Sequence, residues 1–268
     1  MADELVHYDL DGGVATITLD SPHNRNALSA QLRRELTDAL AKAVDDEHAR
    51  VIVLTHTGTV FCAGMDLKEA KGADSEEQGV NGFPAILERL WTSPKPVVAK
   101  LAGPARAGGV GMVAAADIAV ASTAATFAFT EVRIGVVPAL ISVTVLPRLA
   151  PRAAHELFLT GDTFDATRAV EVGLLNAAVA PDELDAKVAA YVDSLVRGGP
   201  AALAATKDLL QGERGRTMGD ELQKMQAVSA HYFASDEGQE GIAAFGEKRP
   251  PRWAGVPTQS AAHSRHGA

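Results

Sequence analysis

The sequence has little cysteine: its 268 residues include a single one, Cys62. One cysteine cannot form an intramolecular disulfide, which fits a protein of a reducing compartment. Cys62 is better explained as a small buried hydrophobic residue than as a nucleophile. The start of the chain, Met-Ala-Asp-Glu, also lacks the basic residues and the apolar core of a secretory signal. We therefore expect a cytoplasmic protein.

Long apolar runs and an excess of basic charge are missing as well. No uncharged apolar segment approaches the ~20 residues of a membrane-spanning helix. The formal net charge of −9 argues against nucleic acid and against an anionic membrane surface as partners. It does not exclude an anionic small ligand, because the basic residues close to that ligand decide whether it binds.

Several catalytic motifs are absent too. The chain contains no G-x-S-x-G nucleophile turn, no P-loop, no H-E-x-x-H pair and no cluster of cysteines and histidines. The eight histidines are scattered along the chain, so a metal site has no support. His56 follows the apolar run Val51–Leu54, and a surface or structural placement explains it better than catalysis does.

The chain does contain an alternation of strand and helix patterns. Two strand patterns flank the hairpin signal Asp11-Gly12-Gly13, and leucines then recur every four residues from Leu28 to Leu40. From Pro200 onward only helical patterns remain. This order predicts an α/β fold with parallel strands, crossover helices and a C-terminal all-helical region. The polar stretch 70–82 is expected to be a mobile segment near the ligand entrance.

Two turns are notable because each follows a strand pattern and precedes a helix pattern. The first turn, Val60–Lys68, comes after Val51–Leu54, and the second turn, Gly103–Gly111, comes after Pro96–Leu101. Small residues at such a turn expose backbone N–H groups at the start of a helix. One N–H from each turn could hold the same carbonyl oxygen, which is the arrangement of an oxyanion hole. Each turn alone is better explained as an ordinary strand-to-helix connection.

The second turn also supports a different interpretation. Gly109–Ala114 matches G-x-G-x-x-A, follows a strand pattern and opens a helix, and Glu131 lies about twenty residues further on. Taken alone, this pattern predicts a dinucleotide site. Against that prediction, the motif lies in the middle of the chain instead of in a first βαβ unit, and it leaves the first turn unexplained.

Three blocks resemble the signature blocks of the crotonase (enoyl-CoA hydratase/isomerase) superfamily: FCAGMDLKE, GPARAGGVGMVAAADIAVA and FAFTEVRIGVVPA. The likeness runs from Leu5 to Trp253 with the blocks in order, a strong signal where each block alone would be weak. The resemblance implies a ββα spiral core at residues 1–199, a helical oligomerisation region at 200–253 and a disordered tail at 254–268. It also implies a coenzyme A thioester as substrate, no further cofactor, and a homotrimer or homohexamer.

The resemblance assigns roles to residues in both turns. The backbone N–H groups of Met65 and Gly108 match the two oxyanion donors of the superfamily. The substrate-binding positions that it implies are Arg25, Asn26 and Ala27, then Ala63, Asp66, Leu67 and Lys68, then Arg106 and Gly111, and finally Phe245 and Lys248. Lys68 matches a residue near the pantetheine or the phosphates, and Phe245 stands in a segment like the superfamily's F-x-E-K-R. The simpler alternative is that Phe245 packs and that Lys68 and Lys248 are solvated.

Glu131 is the predicted acid/base residue. Hydratases of this superfamily commonly place two glutamates about the attacking water; Glu131 matches the second, and the first falls on Gly111. A buried carboxyl group can have a raised pKa and shuttle a proton at neutral pH. We predict an enoyl-CoA hydratase that uses Glu131 alone; a single-glutamate isomerase and a non-catalytic acyl-CoA-binding protein are the alternatives. A structural salt bridge to Arg133 or to another arginine is the competing explanation of Glu131.

One further stretch bears on the substrate. PALISVTVLPRL, at residues 138–149, differs from the superfamily's common PGAGGTQRL and resembles bacterial 3-methylglutaconyl-CoA hydratase-like members. Their substrates carry a distal carboxylate. Arg106 occupies a position that is more usually apolar in the superfamily, so we expect it to pair with such a group. An ordinary surface arginine is the alternative.

Overall fold

The computed structural model describes residues 4–69 and 82–255. The stretch predicted to be mobile lies outside this part except for Gly82, and so does most of the predicted tail. The strands of the described part are β1 (Val6–Asp11), β2 (Val14–Leu19), β3 (Val51–His56), β4 (Val97–Leu101), β5 (Ala105–Arg106), β6 (Ile118–Ser122), β7 (Thr126–Ala128), β8 (Phe164–Asp165) and β9 (Ala177–Val179). Its α-helices are α1 (Ala30–Asp45), α2 (Phe83–Thr92), α3 (Gly108–Ala115), α4 (Ala139–Val145), α5 (Pro151–Thr160), α6 (Ala166–Glu171), α7 (Leu184–Val196), α8 (Pro200–Ala234) and α9 (Asp236–Gly246).

The strands form two sheets. The larger sheet has six strands in the order β1-β2-β3-β4-β6-β9, and the smaller one has three in the order β5-β7-β8. β1 and β2 pair antiparallel, as the hairpin signal predicts, and the other neighbours in the larger sheet pair in parallel. The prediction of an α/β fold is confirmed. Because β3 and β4 run in the same direction, the segments that follow them leave the sheet at the same edge.

The larger sheet is covered on both faces. Ile52 and Leu54 of β3 belong to a core cluster that includes the leucines of α1, whereas Val51 and Val53 belong to a second cluster with the apolar side of α7. Successive side chains of a strand point to opposite faces, so a strand buried on both sides consists of apolar residues throughout. Ser29 caps α1 by accepting the Leu32 N–H at 3.3 Å, and serine is one of the residues preferred at this position.

The helical end of the chain agrees with the prediction in kind and differs in detail. The sequence pattern gives separate helices near 201–210 and 218–233, whereas α8 runs through both with a kink at Gly212, where φ is +55°. α3 begins at Gly108 and not at Met112, because a run of glycines has too little helix propensity to mark a helix start. α2 and α5 were not predicted from the sequence.

A buried ion pair joins α8 to the rest of the fold. The Lys207 ammonium group lies 2.7 Å from Asp117, whose carboxylate also accepts the Val97 N–H at 2.8 Å. The pair therefore links α8 to the start of β4 and to the residue directly before β6. Among the helices of residues 4–69 and 82–255, none combines the length and the apolarity that a membrane crossing requires.

Candidate active site

The first and second turns lie side by side at the edge of the sheet where β3 and β4 end. The Phe61 N–H donates to the Pro104 carbonyl at 2.9 Å, and the Arg106 N–H donates to the Cys62 carbonyl at 2.9 Å. Cys62 and Ala105 also form a parallel bridge. These bonds hold the two turns in a fixed register at one edge of the sheet.

Glycine is required where the turns approach each other. Gly64 has φ of +89°, and a Cβ built on it would lie 3.0 Å from the Ala107 Cβ. A Cβ on Gly109 would lie 2.8 Å from the Cys62 Cβ, and one on Gly111 would lie 2.6 Å from the Ile141 Cγ2. The glycines of the G-x-G-x-x-A pattern therefore face protein atoms, and their packing explains them without a dinucleotide.

The two predicted oxyanion donors are free to bind a ligand atom. Within residues 4–69 and 82–255, neither the Met65 nor the Gly108 backbone N–H donates a hydrogen bond to a protein acceptor. Ala107, directly before Gly108, has φ of +47° and ψ of −119°, a conformation that is strained for a residue with a Cβ. Its N–H donates to the Ala128 carbonyl at 3.1 Å, which ties the strained turn to the end of β7. Strain of this kind is typical of functional sites.

The loop at Arg25, Asn26 and Ala27 supports the first turn. The Arg25 carbonyl accepts the Ala63 N–H at 3.1 Å. Asn26 is fully buried, and its amide group donates to the carbonyl groups of Thr57 at 3.1 Å and Val60 at 2.8 Å. Its side chain therefore stabilises the turn, and the contact of this loop with the substrate stays a prediction.

The three residues after Met65 have different surroundings. Asp66 accepts the Lys68 N–H at 3.0 Å and an Asn24 amide N–H at 3.3 Å, while the Lys68 side chain is exposed. Leu67 packs on a small apolar cluster that Ile134 also joins, formed by Val136, Phe233 and Ile242. Through Leu67, the first turn contacts the segment that carries Glu131.

Glu131 lies in the short 3₁₀ helix Thr130–Ile134, directly after β7. Its side chain is buried, and the Oε2 atom has no hydrogen-bond partner in the described part of the chain. Burial raises the pKa of Glu131 to about 7. Arg133 pairs with Asp162 instead, so the interpretation of Glu131 as a salt-bridge partner of Arg133 is wrong. A carboxyl group with a pKa near neutrality can accept and return a proton.

Ile141 occupies the space where the superfamily's first glutamate would begin. Gly111 is packed against this side chain, and its carbonyl accepts the Thr144 hydroxyl at 3.0 Å. Both contacts come from α4, whose sequence is the stretch that differs from the common pattern of the superfamily. A carboxylate cannot be accommodated at position 111 while Ile141 keeps its place. The sequence alone does not show that Ile141 contacts Gly111, because the two residues are 30 positions apart and no local pattern links them.

Arg106 is half-buried and hydrogen-bonded to β7. Its guanidinium donates to the Thr126 carbonyl at 2.6 Å and to the Thr126 hydroxyl at 2.8 Å. No carboxylate lies within ion-pair distance of it in the described residues, and burial lowers its pKa. The structure thus places a cation without a described counter-charge on β5, within the second turn.

Phe245 and Lys248 lie at the C-terminal end of α9. Phe245 is 58% exposed, and Lys248 is exposed with φ of +55°. α9 covers the segment of Glu131, because a Cβ on Gly241 would overlap the Ile134 carbonyl group. The predicted contacts of Phe245 and Lys248 with coenzyme A therefore involve a surface adjacent to the Glu131 segment.

The geometry agrees with comparisons to known proteins. The family model described as enoyl-CoA hydratase/isomerase matches residues 9–256. This chain belongs to that family. A solved structure of an enoyl-CoA hydratase from Mycobacterium avium is 44% identical, covers 94% of this chain and 100% of its own, and superposes with a TM-score of 0.85.

Two further proteins are similar to this chain over most of its length. The carnitinyl-CoA dehydratase of Proteus mirabilis is 33% identical over 258 residues, which cover 93% of this chain and 98% of that protein. An enoyl-CoA hydratase structure from Bacillus halodurans, 25% identical, covers 90% of this chain and 99% of its own with a TM-score of 0.84. The crotonase fold predicted from the three sequence blocks is thus confirmed.

Proposed function

We propose that this protein adds water to the double bond of a 2-enoyl-CoA thioester, with Glu131 as the acid/base group. The observation that carries the proposal is the buried Glu131 carboxyl group, which has an unpartnered oxygen and a pKa of about 7. The N–H groups of Met65 and Gly108 hold the thioester oxygen and stabilise the negative charge that develops on it, an effect worth about 3–4 kcal/mol for one such donor.

The proposed reaction accounts for the source and the destination of each transferred proton. Glu131, as the carboxylate, removes a proton from water while the water oxygen bonds to C3 of the substrate. The electrons of the double bond move to the thioester oxygen, which becomes an enolate held by the two N–H groups. Glu131 then gives its proton to C2, and the carboxylate is restored. The reverse sequence is a dehydration, and the names of related proteins include both a hydratase and a dehydratase.

An isomerase is the second candidate, and one observation favours it. Ile141 fills the space beside Gly111, so the second carboxylate that would help to hold the attacking water is replaced by an apolar wall. A single carboxyl group can remove a proton from one carbon and return it to another. A non-catalytic acyl-CoA-binding protein is the remaining alternative. It does not explain why the buried Glu131 carboxyl group has an oxygen without a partner.

A panel of acyl-CoA thioesters, followed by absorbance and mass spectrometry, separates the candidates. Hydration raises the product mass by one water, isomerisation leaves the mass unchanged, and binding without any reaction supports the non-catalytic alternative. We expect the mass gain with 2-enoyl-CoA substrates, and we expect turnover to survive dialysis against a metal chelator because no step requires a cofactor.

We further propose a substrate with a distal carboxylate, bound by Arg106. The half-buried guanidinium without a carboxylate partner supports this assignment, because a desolvated cation gains most from an anionic ligand. Arg106→Leu should lower the rate with 3-methylglutaconyl-CoA far more than the rate with crotonyl-CoA, and Arg106→Lys should retain part of the preference. Equal relative rates in wild type and Arg106→Leu would exclude this role.

For the assembly, we propose a homotrimer or homohexamer formed by the helical region 200–253. Leu209 and Leu210 of α8 are 80% and 82% exposed, and two adjacent leucines at such exposure suit burial against another copy. Sedimentation equilibrium of wild type and of the Leu209→Gln, Leu210→Gln double variant tests this. An unchanged mass in the variant would assign the contact to another surface.

A further inference from the structure

We infer that His56 is a positioning residue for the oxyanion hole, because its imidazole joins the ends of the two strands from which the first and second turns depart. The inference rests on the proposed function, since it concerns the site that would hold the thioester oxygen. His56 ends β3, and Ala102 directly follows β4. The side chain thus lies at the origin of both turns.

The hydrogen bonds of His56 fix its tautomer. The Ala102 N–H donates to Nε2 at 3.0 Å, so Nε2 carries no proton. Nδ1 lies 3.0 Å from the Thr57 carbonyl oxygen, which can only accept, so Nδ1 carries the proton. One neutral imidazole therefore bonds the chain after β3 and the chain after β4 at the same time.

The same imidazole also packs on the first turn. The rings of His56 and Phe61 meet edge to face, with centroids 5.6 Å apart and an interplanar angle of 87°. The Phe61 N–H donates to Pro104 of the second turn, and Gly103 faces the Thr59 carbonyl with no room for a Cβ. The distance between the two chains is therefore set at this point, several residues before Met65 and Gly108.

Protonation of His56 would break this link. The imidazolium carries a proton on Nε2, and that proton would face the Ala102 N–H, so two donors would meet. Burial lowers the pKa of His56, and the neighbouring Lys100, which pairs with Asp185, lowers it further. On the far side of Thr57, Asp20 accepts the Thr57 hydroxyl and pairs with His7. The neutral form required for the link thus prevails at pH 7 and above.

The geometry predicts a specific loss in variants. His56→Leu removes both hydrogen bonds, and we expect kcat to fall about 10-fold to 100-fold while KM stays within about 2-fold, since misplaced oxyanion donors weaken the transition state more than the bound substrate. His56→Gln retains an acceptor for the Ala102 N–H and should keep kcat within about 3-fold of wild type. His48→Leu, an exposed position beyond the opposite end of β3, is the matched control and should behave as wild type.

The pH profile adds a readout that a purely structural role would not move. In wild type, kcat/KM should fall with slope one below pH about 7 as Glu131 is protonated, and it should fall about 10-fold further as His56 is protonated. The His56→Gln variant should lack the additional fall. Circular dichroism and thermal unfolding of each variant identify any that fail to fold. If His56→Leu fails to fold, the pH profile of His56→Gln is the test.

The possible results are distinct. Wild-type activity in His56→Leu across the pH range, or a raised KM at unchanged kcat, would overturn the role of His56 and leave the proposed function intact. An additional acid fall that persists in His56→Gln would overturn it as well. If wild type neither binds nor converts any 2-enoyl-CoA, the proposed function fails and the role of His56 fails with it.

Discussion

The two halves of the candidate site are built in different ways. The oxyanion half consists of backbone: the N–H groups of Met65 and Gly108 are held by hydrogen bonds between the turns and by a strained residue, Ala107. The acid/base half consists of side chains: one buried carboxyl group at Glu131, and Ile141 packed on Gly111. The first half depends on the path of the backbone, whereas the second depends on the identity of a few side chains.

This difference explains how one fold can serve several reactions. An enolate formed from a thioester is stabilised by hydrogen-bond donors at its oxygen, and backbone N–H groups can supply them whatever the neighbouring side chains are. The side chains of the acid/base half then determine which atoms of the substrate or water lose and gain a proton. In this chain that half has glycine at the position of the first glutamate of the two-glutamate pattern, and a methyl group of Ile141 on α4 fills the space beside it.

Replacing Gly108 by proline should break the oxyanion half and have the largest effect. Proline removes the N–H, and loss of one oxyanion donor costs about 10²-fold to 10³-fold in kcat. Gly108→Ala is the matched control, because it keeps the N–H and adds a Cβ that would lie 2.8 Å from the flexible end of Leu28. Steady-state kinetics should rank wild type, alanine variant and proline variant in that order. A fully active Gly108→Pro variant would refute the oxyanion hole.

Replacing Glu131 by glutamine should break the acid/base half. The amide preserves size and cannot accept the proton, so turnover should fall at least about 10²-fold if proton transfer is limiting. Glu156→Gln, at an exposed carboxylate of α5, is the control and should change little. Activity retained in a folded Glu131→Gln protein would contradict the role.

The Glu131→Gln variant should also differ from wild type in the pH dependence of its free energy of unfolding. The folded pKa of Glu131 is about 7 against an ordinary 4.5, so its favourable contribution is complete below pH 4.5 and is lost as pH rises through 7. The shift corresponds to about 3 kcal/mol. Glu131→Gln should therefore unfold at higher denaturant concentration than wild type at pH 8, with the difference absent at pH 4.5. If the difference in unfolding midpoint between the variant and wild type does not depend on pH, burial does not raise the pKa of Glu131.

Restoring a carboxylate at Gly111 should require a change on α4. Gly111→Glu alone places a Cβ 2.6 Å from the Ile141 Cγ2, and overpacking of this kind costs about 1–3 kcal/mol. With Ile141→Ala in addition, stability should recover and hydration of crotonyl-CoA should rise above that of Ile141→Ala alone. If the single variant is as stable as wild type by urea unfolding, the packing of Ile141 on Gly111 is not as tight as the structure indicates.

Changing the side chain of Met65 should have the smallest effect. Met65→Leu conserves volume and leaves the N–H in place, so kcat should stay within about 2-fold of wild type. This result would separate the backbone half from the side-chain half most directly. A large loss of kcat in a normally folded Met65→Leu protein would mean that the thioether itself takes part in the reaction.

The sequence was sufficient for the parts of the site that depend on local geometry. Turns with small residues after strand patterns can be recognised from a few neighbouring positions, and the family blocks placed Met65, Gly108 and Glu131 in order. The environment of Glu131 follows from burial, which no short segment encodes. Ile141 and His56 act through contacts with Gly111 and Ala102, 30 and 46 residues away, so their effects required the fold.

The missed helices have similar physical reasons. α5 buries only Ala153, Ala154 and Leu157 on one face, which is too few large apolar residues to give a clear helical period. α2 follows directly after the polar stretch 70–82, and its start at Phe83 and Pro84 has no side-chain cap. Both helices form because tertiary packing stabilises them, more than their own propensities do.

The bonds between the two turns have a consequence for folding. Phe61 pairs with Pro104, and Leu28 pairs with Gly64, so the segments of the site meet across about 40 residues of intervening chain. Contacts of such sequence separation form slowly, because the entropy of closing the loops is lost before the contacts contribute. We therefore expect a refolding chain to gain its helices before these contacts between the turns, and the return of activity to mark the pairing of the two turns.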